Sequence, residues 1–294
     1  MSASPSQDIP GLVWNRSGFV GLTGSLLALS EAIDRRFLGL AALFSAGRQS
    51  FGPLLSVDDL RRVDYFSAFP HIVMFPACAA RGEAALHRFA HDNGAQVEGS
   101  LRVGETADVD SVLAPAACYG VFIGMRNTDI GRSPRVVTVR GTCFRAESEF
   151  TPLVRQPCFS MREIVHLGDE SSVSDFLARA RGKVEDLAGE WDLPASVLVA
   201  TDPFFDPARS PKYLHARLFP TKLELVQDGI AIASFNNHRN FFGQAFEISC
   251  SGEHLHTACV AFGIERWVGA ILRRHGSDPA RWPVKLESSP DSPC

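Results

Sequence analysis

The side chains best suited to chemistry fall in two ordered stretches. The first reads Arg140-Gly-Thr-Cys-Phe-Arg-Ala-Glu147 and, after an eleven-residue connection, Phe159-Ser-Met-Arg-Glu-Ile-Val165. If both flanks are strands of one hairpin, side chains alternate faces with a period of two. Arg145 and Glu147 then share a face, and so do Phe159, Met161 and Glu163 across the hairpin. That face offers a guanidinium for a phosphate, a carboxylate for an exocyclic amine and a ring for stacking, the three parts that gripping ATP needs. A solvated hairpin with ordinary cross-strand ion pairs has the same spacing. The second stretch, His256-Thr-Ala-Cys-Val-Ala-Phe-Gly-Ile-Glu-Arg-Trp267, reads as a strand running into a helix. Gly263 stands at the turn and Arg266 in the first helical turn, where a phosphate can meet a guanidinium beside free backbone N–H groups.

Thiols are the other reactive groups, seven in all. Cys250, His254, His256 and Cys259 lie within ten residues and could close a four-ligand structural zinc site. Against that cluster, Ser251-Gly252-Glu253 reads as a hairpin turn. His254 and His256 would also share one strand face while Cys259 falls on the other. Cys78, Cys143, Cys158 and Cys294 read as small buried hydrophobes.

The elements that must position these groups are helices and strands in irregular order. Residues 24–44 have the spacing of an amphipathic helix, through Leu27, Ala32, Phe37, Leu38 and Ala41. A second helix is predicted over 82–92, stopped by Asn93-Gly94. A third starts at about Ser174, a candidate N-cap, and carries Phe176, Leu177, Ala180, Val184, Leu187 and Trp191. Segments 109–122, 135–147, 158–167, 222–236 and 254–262 read as β-structure. The expected class is therefore α+β, with a largely antiparallel sheet flanked by helices. The expected division is a flexible N-terminus over 1–20, one catalytic domain over 21–287 and a disordered Ser/Pro-rich tail over 288–294.

The whole chain narrows the functional classes. Its 294 residues, 45% of them hydrophobic and 21% charged, suffice for a sizeable core without a staple. The formal net charge of −4 provides no basic footprint for nucleic acid. Residues 1–9 lack the layout of a secretory signal, and Glu31, Asp34, Arg35 and Arg36 interrupt the most apolar stretch, so no membrane association and a cytoplasmic location are expected.

Taken in order, "GTCFRAE…FSMREIV…TACVAFGIERW" resembles motifs 2 and 3 of class II aminoacyl-tRNA synthetases, the seryl enzymes most closely. The similarity is closer still to the amino acid:[carrier protein] ligases, truncated homologues of the seryl enzymes with an atypical zinc-bearing site. "DYFSAFPH", "LAPAACYGVF", "DPFF", "KLEL" and "ASFNNHRNFFG" share in it, and the resemblance spans roughly residues 60–272. It implies that Arg145 holds the ATP α-phosphate and the substrate carboxylate. Glu147 would read the adenine amino group, Phe159 would stack on adenine, and Arg266 would hold the γ-phosphate. Seryl enzymes place a magnesium-binding glutamate just before their Ser-x-Asn segment. Here Ile230-Ala-Ile232 precedes Ser234-Phe-Asn236, which leaves Glu224 and Glu247 as candidate Mg²⁺ ligands.

The resemblance also implies a metal. Ordinary seryl enzymes bind the substrate amine with a Thr-x-Glu element, but the matching stretch here is Ala116-Ala-Cys118. In the zinc-bearing relatives two cysteines and a glutamate hold Zn²⁺ and leave a position for the amine, and Cys118, Glu163 and Cys259 fall at the matching positions. Three ligands with one open position is the layout of a functional site, and two thiolates favour zinc over harder cations. No tRNA-gripping coiled coil is legible before residue 60. The implied partners are thus a small amino acid, glycine or alanine, and the phosphopantetheine thiol of an acidic carrier protein, with tRNA excluded. Arg209, Lys212, His215 and Arg217 form a basic stretch suited to docking such a carrier, or an ordinary solvated loop. A homodimer formed through about residues 51–69 is expected. Two other classes stay open: a paralogue that passes its adenylate to another acceptor, and a non-catalytic amino-acid sensor.

Overall fold

Residues 162–168 and 257–262 are buried without alternation, so a sheet built from them buries both faces, and each must be covered. The computed structural model describes residues 9–15, 17–78, 82–94, 108–209 and 220–286. In chain order, β1 (Leu12–Trp14) pairs with β2 (Val20–Leu22), and α1 (Gly24–Ala42) leads to β3 (Gly47–Gln49) and β4 (Leu54–Ser56). Three helices follow, α2 (Val57–Arg62), α3 (Tyr65–Ala68) and α4 (Glu83–Asn93), then β5 (Ser111–Leu113) and α5 (Tyr119–Gly124). The hairpin β6 (Arg135–Phe144) and β7 (Cys158–Gly168) precedes α6 (Glu170–Glu190), β8 (Ala195–Ala200), β9 (Lys222–Gln227) and β10 (Ile230–Arg239). The chain continues through α7 (Phe241–Ala245), β11 (Ser249–Cys250), β12 (Glu253–His254), β13 (His256–Gly263) and α8 (Ile264–His275). Seven strands form the main sheet in the order β3-β6-β7-β13-β10-β9-β8. Every neighbour is antiparallel except β3 and β6.

Two cores lie on the two faces. On one, α1, α6 and α8 cover Ile164, Val260 and Phe262. Phe37 of α1 stacks on Phe262 at 4.1 Å, and Trp267 meets Phe37 and Trp191 edge-on at 5.3 and 5.5 Å. On the other, α5 and α7 cover Val137, Val139, Val165 and Cys259, with Phe122 stacked on Phe242 at 4.1 Å. Only the second face carries the candidate site.

Local chemistry corrects three expectations. Helix α6 is capped by Asp169, not Ser174. Asp169 has extended backbone and accepts from the Ser172 N–H at 2.8 Å, while Ser174 sits a turn later and donates back to the Glu170 carbonyl. The segment 109–122 is a strand only over Ser111–Leu113. Pro115 has no N–H for a ladder, and Val121 and Phe122 are buried from a helix instead. The segment 222–236 is two strands, broken at Asp228-Gly229, both at positive φ as a two-residue hairpin turn requires.

The hairpin is clamped to α1 by a buried ion pair. Arg162 of β7 reaches Asp34 through Nε and through Nη2 at 2.8 Å, with Thr138 Oγ1 accepting from Nη1 at 3.2 Å. The Arg162 side chain is 6% exposed. Removing one partner of such a pair strands a buried charge. Asp34→Ala should therefore lower unfolding stability by roughly 3–5 kcal/mol. Asp34→Ala with Arg162→Met should recover most of that loss, both read from urea-denaturation midpoints.

Candidate functional site

Two adjoining cavities share a wall formed by Arg145, Met161, Lys222, Ser234 and Ala261. The smaller is a cleft lined by Glu147, Phe159, Glu224, Glu265 and Arg266. The larger is lined by Tyr65, Cys118, Tyr119, Glu163, Asn236 and Cys259.

Register explains the cleft. Cys143 lies opposite Phe159 in the β6–β7 ladder, so Arg145, two residues on, falls on the Phe159 face. Its guanidinium lies 5.2 Å from the Phe159 ring centroid, and its Nε and Nη2 donate to the Pro115 carbonyl at 3.1 and 3.0 Å. Glu147 accepts from Arg155 at 3.4 Å. Arg266, in the first turn of α8, donates to the Val154 and Ala231 carbonyls at 2.8 and 2.9 Å. Burial, and then the neighbouring Arg145 charge, hold its pKa below the ordinary arginine value. Glu265 accepts from the Ser160 N–H through both oxygens, and burial raises its pKa. Of the two candidate magnesium ligands, Glu224 lines the cleft beside Lys222 at 3.2 Å, whereas Glu247 is exposed in the turn after α7 and lines neither cavity.

The larger cavity gathers Cys118, Glu163 and Cys259. They come from the N-cap of α5, from β7 and from the adjacent β13, and their ligand atoms all lie within 4.8 Å of one another. All three are buried. Glu163 accepts from the Ala117 and Cys118 backbone N–H groups at 2.7 and 3.2 Å. Burial, with the nearby Cys259, nevertheless pushes its pKa up to about 8. The thiol pair splits. Its hydrogen bond to Cys259, and then burial, hold Cys118 protonated. The same bond, with His238 at 3.6 Å and Asn236 Nδ2 at 3.3 Å, favours a Cys259 thiolate. Two thiols and a carboxylate sealed from water cannot all ionise unless a cation joins them. The donor set therefore fits one divalent, thiophilic ion.

Among the described residues this is the only such group of three. Cys250, His254 and His256 line a separate surface depression beside Asp169, while Cys259 faces the other way into the sheet. The turn at Ser251-Gly252, both at positive φ, separates β11 from β12 as expected.

Several lining residues had no role in the sequence reading: Tyr65, Tyr119, Asp202, Lys222, Asn236 and His238. Lys222 binds Asp202 at 2.9 Å, and His238 Nδ1 lies 3.0 Å from Thr257 Oγ1. The signal available was alternation, since Lys222 and Glu224 share a strand face, as do Ser234, Asn236 and His238. Of the basic stretch, Arg209 closes a short 3₁₀ turn, and Lys212, His215 and Arg217 lie outside the described residues.

No protein-family model matches the chain. It is 34% identical over 278 residues to "Amino acid--[acyl-carrier-protein] ligase 1" of Bradyrhizobium diazoefficiens, covering 88% of this chain and 82% of that protein. It is 30% identical to "Amino acid--[acyl-carrier-protein] ligase 2" of the same organism, covering 97% and 87%. Its fold matches the M. kandleri SerRS solved with A. aeolicus tRNASec, with a TM-score of 0.79 at 21% identity. The match covers 96% of this chain and 60% of that one, and shows the fold of a class II seryl-tRNA synthetase domain.

The purified protein should contain about one zinc per chain. Cys118→Ser and Cys259→Ser should strip it, whereas His254→Ala and His256→Ala should retain it, as read by elemental analysis. Stoichiometric zinc in Cys118→Ser would remove this group as the metal site.

Proposed function

This chain belongs to the amino acid--[acyl-carrier-protein] ligases, and on that premise we propose that it activates a small amino acid with ATP and passes the aminoacyl group to the phosphopantetheine thiol of a carrier protein. The observation that carries the reading is the shared wall. Arg145 stands between a cleft with the parts for a nucleotide and a cavity with the parts for an amino acid.

In the first step a carboxylate oxygen forms a bond to the α-phosphorus and pyrophosphate leaves. Arg145 is placed to touch both reactants, and holding them in line replaces a bimolecular encounter by a positioned one. Its fixed charge also stabilises the charge that builds on phosphorus, at no cost of reorganisation because the Pro115 carbonyl already orients it. Phe159 and Glu147 serve the adenine, and Arg266 the leaving pyrophosphate. Glu224 is the carboxylate suited to Mg²⁺ on the nucleotide. Cys118, Glu163 and Cys259 would hold zinc, which would supply a Lewis acid for the substrate amine. In the second step the carrier thiol forms a C–S bond at the acyl carbon, the C–O bond to AMP breaks, and the thiol proton leaves to solvent. No protein nucleophile takes part.

Aromatic walls from Tyr65, Tyr119 and Phe242 support a small substrate, glycine or alanine. Such walls separate homologues by only about 1–3 kcal/mol per methylene. Phe51 and Leu54, exposed beside the edge strand β3, support pairing of two copies through residues 51–69. Sedimentation at micromolar concentration should then give a dimer. No described helix is long and apolar enough to cross a membrane, which is compatible with the cytoplasmic location read from the sequence.

The test is ATP–pyrophosphate exchange across the twenty amino acids, followed by acylation of carrier proteins. Glycine or alanine should give the strongest exchange. Arg145→Ala should lose about 10²–10³-fold in rate while keeping its fold. Exchange without carrier acylation would point to another acceptor, and no exchange with any amino acid would leave only a binding role.

A further inference from the structure

One hydroxyl in the cavity of Cys118, Glu163 and Cys259 has no part in the chemical steps above. Tyr65, the first residue of α3, is 3% exposed. Its ring is fixed against Phe69 at 5.2 Å and edge-on to Tyr119 at 6.1 Å. It lines the same cavity as Cys118, Glu163, Cys259 and Arg145, yet its hydroxyl is fully buried with no hydrogen-bond partner among the described residues. Folded proteins rarely leave such a group unpaired, because burial takes it from water without return. Aromatic packing alone would be served by phenylalanine. The hydroxyl therefore marks a place for a polar partner beyond the described residues.

We propose that Tyr65 is a substrate-binding residue whose phenol donates a hydrogen bond to the carboxylate of the amino acid, beside Arg145. The assignment rests on the reading of this cavity as the amino-acid site. Three observations select the carboxylate. Arg145, a cation that lines both this cavity and the nucleotide cleft, shares the cavity with Tyr65. Burial, opposed only in part by Arg145, raises its pKa to about 12, so it remains a donor across the working pH range. The amine end of the substrate has its own ligand set in Cys118, Glu163 and Cys259. The carboxylate oxygen that does not attack phosphorus keeps this partner after activation, when it has become the carbonyl oxygen of the adenylate. It gains negative charge as the thiol adds, so one donor serves both steps.

The test is Tyr65→Phe in the full-length protein, which deletes one oxygen and keeps the ring. Glycine, having no side chain, isolates contacts to the amino-acid backbone. In exchange assays the KM for glycine should rise about tenfold or more, the range for a hydrogen bond to a charged group. The KM for alanine should rise by the same factor, while the KM for ATP and the zinc content stay at wild-type values. The glycine concentration that half-saturates the rise in melting temperature should increase in parallel. Unchanged glycine values in a variant whose wild-type parent exchanges normally would overturn the Tyr65 assignment alone. A rise limited to alanine, or one accompanied by zinc loss, would overturn it in favour of a side-chain or structural role. A wild-type protein with no exchange would overturn the reading of the cavity, and this assignment with it.

Discussion

Strand β7 has two sides, and each is buried for a different reason. Even-numbered residues turn toward α1, α6 and α8, where Arg162 meets Asp34 and Ile164 joins the aromatic core. Odd-numbered residues turn the other way, where Phe159, Met161 and Glu163 line the cavities. A slip of one residue would exchange the two sets, sending Glu163 against Asp34 and the Arg162 guanidinium into the thiol pocket. Like charges would meet on one face and an unpaired charge would be buried on the other. Register in this strand is thus enforced by electrostatics as well as by hydrophobic burial. The ten paired positions with β6 and the eight with β13 transmit it to Arg145 and Cys259.

The site is held by backbone more than by side-chain partners. Arg145 is tied to the Pro115 carbonyl, Arg266 to those of Val154 and Ala231, Glu163 to two N–H groups before α5, and Glu265 to that of Ser160. Main-chain partners cannot change rotamer, so these charges are fixed before any substrate arrives. Arg266 additionally pins the connection between β6 and β7 to β10, joining the segment that carries Glu147 to the sheet.

Most of what was legible in the sequence was local. The α+β class, helix α1, the β6–β7 hairpin and the strand-to-helix passage at Gly263 all follow from periodicity and turn chemistry within a few tens of residues. The segment 109–122 was misread because a short apolar run has no period by which to tell strand from helix. Cys118, Glu163 and Cys259 are more than forty residues apart in sequence, and local spacing offers Cys259 a rival cluster with its nearer histidines. Only the ordered motifs singled out the trio that the fold brings together. Tyr65, Lys222 and His238 stayed invisible because their significance lies in what other segments bring beside them. None of those neighbours is near in sequence.

The wall common to the two cavities places a charged side chain in contact with both. Lys222 bridges Asp202 on one side to Glu224 on the other. A ligand that draws off either carboxylate changes the field its counterpart meets across the wall. Linkage makes such an influence reciprocal. Whatever factor a ligand in the cleft imposes on affinity in the larger cavity, a ligand there imposes in return, and Lys222 is a charged contact common to both.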